Sequence, residues 1–425
     1  MKSENGEELR TNSKLSTMDS QLPRGYKRTE VGVIPEDWEV AQLGEIGTVI
    51  RGASPRPKGD SRYYGGNVPR LMVEDVTRDG MWVTPRIDTL TEEGAKRSRP
   101  CRLGTLTVVC SGTPGVVGTP ALLAVDACIH DGMLALARLK SGVSAAYLYH
   151  QLRSIQEQLF SAATHGGTFV NLTTDGLRAF KVVLPPTQTE QEAVVAALND
   201  VDALLSSLDR LIAKKRDIKQ AAMQELLTGK MRLPGFEGEW EVRRIGALGA
   251  TYGGLIGKSK DDFGHGNSQY VTFMNVMANV VIHSEGFDRV RVAPTESQNH
   301  VKRGDLLFNG SSETPEEVAM CAFMPEAVPN LYLNSFCFGF RILDNEQCAG
   351  LFLAYYMRSS AGRELMKSLA QGSTRYNLSK NALLGAAIVL PAKEEQTAIA
   401  TILSDMDSEL TALEALSVLV QATYA

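Results

Sequence analysis

Several stretches of this 425-residue chain imitate chemical motifs, and each fails at a defined position. Gly253-Gly254-Leu255-Ile256-Gly257-Lys258-Ser259 approaches a phosphate-cradling loop, but G-x-x-x-x-G-K-S needs glycine where Tyr252 stands. The backbone N–H groups that would converge on phosphate are then wrongly spaced. Gly112-Thr113-Pro114-Gly115-Val116-Val117-Gly118 has the G-x-x-G-x-x-G spacing, yet its proline removes an N–H, and a structural turn is the reading. An amino-methyltransferase holds its target amine with an N/D-P-P-F/Y stretch, of which Leu184-Pro185-Pro186-Thr187 is only an imitation. His130, His150, His165, His265, His283 and His300 form no H-E-x-x-H and no metal-ligand spacing. Asn171 and Asn377 head N-x-S/T triplets, which matter for glycosylation only in a secreted protein. The expectation is a chain without catalysis, cofactor or metal.

A different chemistry open to these residue types is nucleic-acid binding, where Arg, Lys, Asn, Gln, Ser and Thr reach base edges and cations hold phosphates. Arg56, Lys58, Arg62, Tyr63, Tyr64 and Arg70 make a basic-aromatic stretch, with Ser111, Thr113, His165 and Thr168 as further candidates. A corresponding later set is Lys258, Lys260, Asn267, Gln269 and Tyr270, with Asn309, Ser312, Arg375 and Tyr376 behind it. The net charge of −5 opposes phosphate binding, but residues 51–102 hold eleven basic residues against seven acidic ones. Ordinary solvated surface charge is the competing explanation.

These two sets sit at equivalent places because the chain repeats itself. Asn171-Leu172-Thr173, Val183-Leu184-Pro185, Glu190-Gln191 and Asp200-Val201-Asp202 return as Asn377-Leu378-Ser379, Val389-Leu390-Pro391, Glu395-Gln396 and Asp405-Met406-Asp407. Trp38-Glu39-Val40 likewise returns as Trp240-Glu241-Val242. The unit is a globular segment followed by a long helix, and two copies suit a target that comes in two halves.

Each globular segment mixes short strands, such as 71–73 and 106–109, with helical periodicity over 145–160 and 351–369, giving an α+β class. The helices are plainer. Leu198, Val201, Leu205, Leu208 and Ile212 follow a heptad, as do Leu403, Met406, Leu410 and Leu413. Antiparallel pairing of the two seams would bury both, whereas packing on the parent domains alone is the other solution. The first helix is expected over 188–227, ending at Gly229, a rod of roughly 60 Å at 1.5 Å per residue. Its length should set the distance between whatever the two domains touch.

Apolar residues make up 43% and charged residues 22% of the chain, as in ordinary soluble proteins. No run suggests a membrane span or a signal peptide, and the six cysteines form no C-x-x-C pair, so a cytoplasmic protein with reduced thiols is expected. The organisation predicted is a tail (1–25), a first recognition domain (26–187), a spacer helix (188–232), a second domain (233–392) and a distal helix (393–425).

Lys219-Gln220-Ala221-Ala222-Met223-Gln224-Glu225-Leu226-Leu227-Thr228-Gly229-Lys230, followed by Arg232-Leu233-Pro234-Gly235-Phe236, resembles the end of the spacer helix in specificity subunits of type I restriction–modification systems. Tyr64-Gly65-Gly66-Asn67-Val68-Pro69 is similar to that family's target-recognition segment, and 184–191 and 390–396 to its entry into the conserved helices. The resemblance implies two target-recognition domains separated by long helices in an antiparallel coiled coil. It implies a non-catalytic subunit that binds double-stranded DNA and docks two modification (methyltransferase) subunits, with restriction (motor–nuclease) subunits added for cleavage. S-adenosylmethionine, ATP and Mg²⁺ would belong to those partners. After Leu416 the pattern departs from the first copy, and a shortened distal helix is expected.

The bipartite target predicts half-site centres about 34–36 Å apart, one turn of duplex. Two other readings of the same residues are a coiled-coil scaffold without DNA readout and a partner-independent DNA-acting enzyme.

Overall fold

The computed structural model describes residues 22–166, 169–343 and 347–424. Most of the expected tail, along with Thr168, lies outside the described residues. Two compact units emerge: the first is built from the chain up to Leu205 together with its last few residues, the second from Ser206 to Gln421.

In the first unit, Leu106–Val109 forms the buried middle of a five-stranded sheet. Its antiparallel neighbours are Met133–Ala137 and Pro120–Leu123, with Thr48–Arg51 and Trp82–Val83 at the edges. Strands buried on both faces carry near-continuous apolar runs rather than alternation, as M-L-A-L does, and in L-T-V-V the one polar residue, Thr107, donates its hydroxyl to Ala121 O at 2.9 Å. A second sheet orders Asp88–Leu90, Tyr64–Leu71, Ala127–Ile129 and Pro100–Cys101. Leu71 ends its strand and Val73 opens the helix Val73–Asp79, so the run expected as a strand over 71–73 straddles a junction.

The second unit repeats this plan. Gly249–Gly253, Cys337–Ile342, Leu306–Asn309 and Cys321–Phe323 follow the order of the first sheet, and Phe287–Val290, Phe263–Val271 and Leu331–Leu333 that of the second. Where Trp82–Val83 adds a fifth strand in the first unit, a single parallel bridge, Val281 to Phe323, serves here.

Each unit closes on itself through one ribbon. Val40 pairs with Val183 in the first and Val242 with Val389 in the second, which ties the entry of each domain to its exit. The repeated tryptophans sit at this closure. Trp38 lies edge-on to Tyr147 (6.5 Å) and Trp240 edge-on to Phe352 (6.4 Å). Trp38 Nε1 also donates to Glu190 at 3.0 Å.

The periodicity over 145–160 and 351–369 gives two helices each time, broken at Ile155 and at Ser359. At the second break Ser359 caps the following helix by accepting from Gly362 N. A Cβ on Gly362 would meet Tyr356 O at 2.0 Å, so the two helices meet too closely for continuous winding.

The central helix, Gln188–Leu226, and the distal helix, Lys393–Tyr424, are the longest elements. The central helix stops one residue before the expected end; Met231 N bonds back to Glu225 O and Gly229 takes φ +72°. Within the second unit the two helices run antiparallel. Lys219 pairs with Asp407, Lys215 with Glu409 (2.7 Å) and Arg216 with Glu414 (2.6 Å), the partners of Lys215 and Arg216 both lying further along the chain than that of Lys219. Leu208, Ile212, Leu403 and Leu410 of the two seams are buried. Lys215 and Lys219 continue the seam spacing, so the heptad passes from apolar to charged residues that meet acids opposite. Leu226, Leu227, Ile399 and Leu403 enter the core of the second unit, so its domain and both helices share one core.

Candidate nucleic-acid interface

In the first unit the loop from Gly52 to Tyr64 leads into the long strand of the second sheet. Arg56 and Lys58 are exposed; Arg56 reaches to 3.6 Å from Asp131. Arg62 is exposed and gripped by Asp60, whose carboxyl the guanidinium holds down to about 2. Tyr63 is buried and lies between Arg62 and Arg97, 5.3 and 4.7 Å from its ring. Tyr64 donates to Pro55 O at 2.8 Å. Arg70 is 2% exposed, donates to Asp88 (2.8 Å) and Ser54 (2.9 Å), and lies over the Tyr64 ring. Tyr63, Tyr64 and Arg70 therefore shape the loop from inside, while Arg56, Lys58 and Arg62 stand on its surface.

Beside this loop a small sheet brings other candidates together. Ser111 pairs with Asn171, and Asn171 with Thr164; His165 faces Val170 one position along. Thr113 is exposed just beyond the Ser111–Gly112 strand.

Arg51, at the end of its edge strand, is a residue that motif reading passed over. It is exposed, its Nε donates to Asp131 O at 3.0 Å, and its Nη2 donates to Asn171 Oδ1 at 3.0 Å. The backbone that carries it is pinned. Gly52 N donates to Met133 O, and a Cβ on Gly52 would lie 1.9 Å from His130 O. Next to it His130 Nδ1 accepts from Gly132 N and Nε2 meets Asp131 Oδ1 at 2.8 Å. Burial pushes the His130 imidazole below its ordinary value, against the opposing pull of Asp131. The signal available in sequence was an arginine ending a strand at the place where the second copy has Gly253 before Gly254.

The second unit uses the same framework with other side chains. Asn267 and Gln269 are exposed on Phe263–Val271, while Tyr270 of that strand is buried and donates to Asp288 at 3.2 Å. Lys260 is exposed. Lys258 turns inward, its side chain 4% exposed, onto Arg291 O (2.6 Å) and Glu296 (2.5 Å), and holds that carboxyl down to about 2. Asn309 is fully buried and brackets a turn, donating to Ser311 O and Glu317 O. Ser312 pairs in register with Tyr376 and donates to Glu317 at 3.2 Å, and Arg375 is exposed beside them.

The phosphate-loop imitation has a packing origin. A Cβ on Gly254 would fall 2.1 Å from Asn334 O, the counterpart of the Gly52 approach to His130 O. No group of His, Cys, Asp and Glu suited to a metal occurs among the described residues. No helix among them is long and apolar enough to cross a membrane.

Comparison with known proteins gives this architecture a family. The model for the type I restriction modification DNA specificity domain matches twice, over residues 35–215 and 237–419. The MjaIX specificity subunit of Methanocaldococcus jannaschii is 22% identical over 319 residues, 69% of this chain and 70% of its own. The StySPI specificity subunit of Salmonella potsdam is 22% identical over 393 residues, 87% and 81% of the two chains. In fold, the S subunit from M. genitalium aligns with a TM-score of 0.55 at 14% identity, covering 95% of this chain and 96% of that one. The subunit from Thermoanaerobacter tengcongensis aligns with 0.53 at 17% identity, covering 92% and 95%. Two matched family domains and two pairing helices thus have one explanation: the chain belongs to the type I restriction–modification DNA specificity family, and is the non-catalytic specificity subunit of such a complex.

Proposed function

We propose that each domain reads one half of a bipartite duplex site, and that the paired helices fix the separation of the halves while docking two modification subunits. Restriction subunits then join the same assembly for cleavage. The observation that carries this reading is the repeated ribbon. Ser111 meets Asn171 in one unit and Ser311 meets Asn377 in the other, on a common framework with different neighbours. A shared scaffold with divergent exposed side chains (Arg56, Lys58 and Thr113 against Lys260, Asn267, Gln269 and Arg375) suits two related readers of unlike sequences. The modification subunits supply the methyl-transfer chemistry.

The central helix is 39 residues long, about 58 Å at 1.5 Å per residue. Removing or adding whole turns between Gln188 and Leu226 tests its part as a ruler. Mapping of methylated sites should then return the same two half-site sequences with a changed gap. Altered half-site sequences with an unchanged gap would defeat this reading.

A further inference from the structure

We propose that Arg51 is a base-reading residue of the first domain and that the base it takes is a guanine, met at its major-groove edge; this rests on the bipartite reading above. Most other arginines around this loop are spent on carboxylates: Arg62 on Asp60, Arg78 on Asp79, Arg102 on Asp126. Arg51 is exposed but not loose, and both of its hydrogen bonds go to neutral oxygens, Asp131 O and Asn171 Oδ1. The Asp131 carboxylate itself is taken by His130 at 2.8 Å and approached by Arg56 at 3.6 Å. No carboxylate pairs with Arg51 among the described residues.

The geometry selects the ligand. Bonds from Nε and from one hydrogen of Nη2 fix the plane of the guanidinium and leave Nη1 and the second Nη2 hydrogen without a protein acceptor among the described residues. Two parallel N–H donors on a held plane match two adjacent acceptors, and guanine N7 and O6 are the base edge that offers such a pair. Adenine presents a donor at the second position and would leave one N–H facing another. Because the plane is set before binding, little rotamer freedom is lost on contact. Asn171 is the positioning residue, since its Oδ1 aims the fork. In the second unit this device is absent: Gly253 stands at the position of Arg51, and Asn377 turns its Nδ2 to Arg375 O at 3.2 Å. A guanine contact from this position therefore belongs to one half-site only.

The test uses the full chain assembled with its modification partner and maps methylated sites for wild type, Arg51→Ala, Arg51→Lys and Asn171→Ala. The expected result is loss of preference at one G·C pair in one half-site, of order tenfold to a hundredfold for Arg51→Ala. Arg51→Lys keeps the charge but not the fork and should relax the same pair; Asn171→Ala should relax it less. Retained preference at the other positions of the same half-site certifies folding of the first domain in each variant. Uniform weakening on every sequence, with a shallower salt dependence, would identify a phosphate contact and overturn the proposal. Unchanged preference at every position would overturn it too. A wild-type complex with no two-part site would fell the bipartite reading first, and the Arg51 assignment with it.

Discussion

Gln191 and Gln396 make the same three hydrogen bonds in the two halves of the chain. Gln191 accepts from Ser144 N (2.8 Å) and donates to Gly142 O (3.0 Å) and Pro185 O (3.4 Å). Gln396 accepts from Ala349 N (2.9 Å) and donates to Gln347 O (3.0 Å) and Pro391 O (2.8 Å). Both are buried, at 2% and 0% exposure. The repeated E-Q step is thus a clamp that fixes each long helix to its own domain. Gln396→Leu would leave an N–H and two carbonyls without that partner. The expected cost is about 2–4 kcal/mol in urea unfolding, and a loss under about 0.5 kcal/mol would contradict the clamp.

The glutamate before each glutamine has diverged. Glu190 receives Trp38, whereas Glu395 is taken by Arg232 through two bonds of 2.5 and 2.7 Å. Trp240 Nε1 is left buried without an acceptor. Arg232→Met should free Glu395, restore a tryptophan-to-glutamate bond like that of the first unit, and shift Trp240 fluorescence. An unmoved emission spectrum would count against this competition.

The ion pairs between the helices should couple. Lys219→Glu weakens the pairing and Asp407→Lys, added to it, restores part of the loss. A double-mutant cycle should give a coupling of about 1 kcal/mol, smaller in high salt because the pair is partly exposed. Strict additivity of the two single losses would mean that the contact carries no energy.

Acid should loosen the first domain before the second. Burial lowers the pKa of His150, which meets Asn199 at 3.2 Å, and of His130 as well. An imidazole held neutral by the fold stabilises it fully above the unfolded value near 6.5, and that stability fades as pH falls through the lowered folded value. The answering residues in the second unit are Asn334 and Tyr355, which have no imidazole. Hydrogen exchange at pH 7.5 and 5.5 should reveal added opening around 130–150. Equal acid sensitivity at 334–355 would refute this account.

Gly254→Ala puts a Cβ 2.1 Å from a backbone oxygen and should destabilise by at least about 1–3 kcal/mol in thermal melts. Gly385→Ala, with nothing within 4 Å, should be neutral or mildly stabilising. Similar melting for the two variants would mean that the strand crossing at Gly254 can relax.

The large features were legible because they are periodic or repeated. The heptads located the two long helices, and L-T-V-V over 106–109 is a strand at those bounds. The helix breaks at Ile155 and Ser359 were not legible, since the apolar periodicity continues across both of them. Side-chain exposure was the harder matter. Arg70 and Lys258 look like surface cations in sequence, but Asp88 and Glu296, 18 and 38 positions away, draw them inside. Asn309 reads as a base-contacting amide until the turn it brackets is seen. Arg51 is the more extreme case: its partners, Asp131 and Asn171, lie 80 and 120 positions off.

Exchange of the first domain tests the central claim most directly. The segment 26–187 would be replaced by that of another family member with a different target, and methylated sites mapped in cells that supply the modification subunit. One half of the recognition sequence should change to the donor's, with the other half and the gap retained. A site altered in both halves, or in neither, would contradict a chain built from two independent readers on a shared spacer.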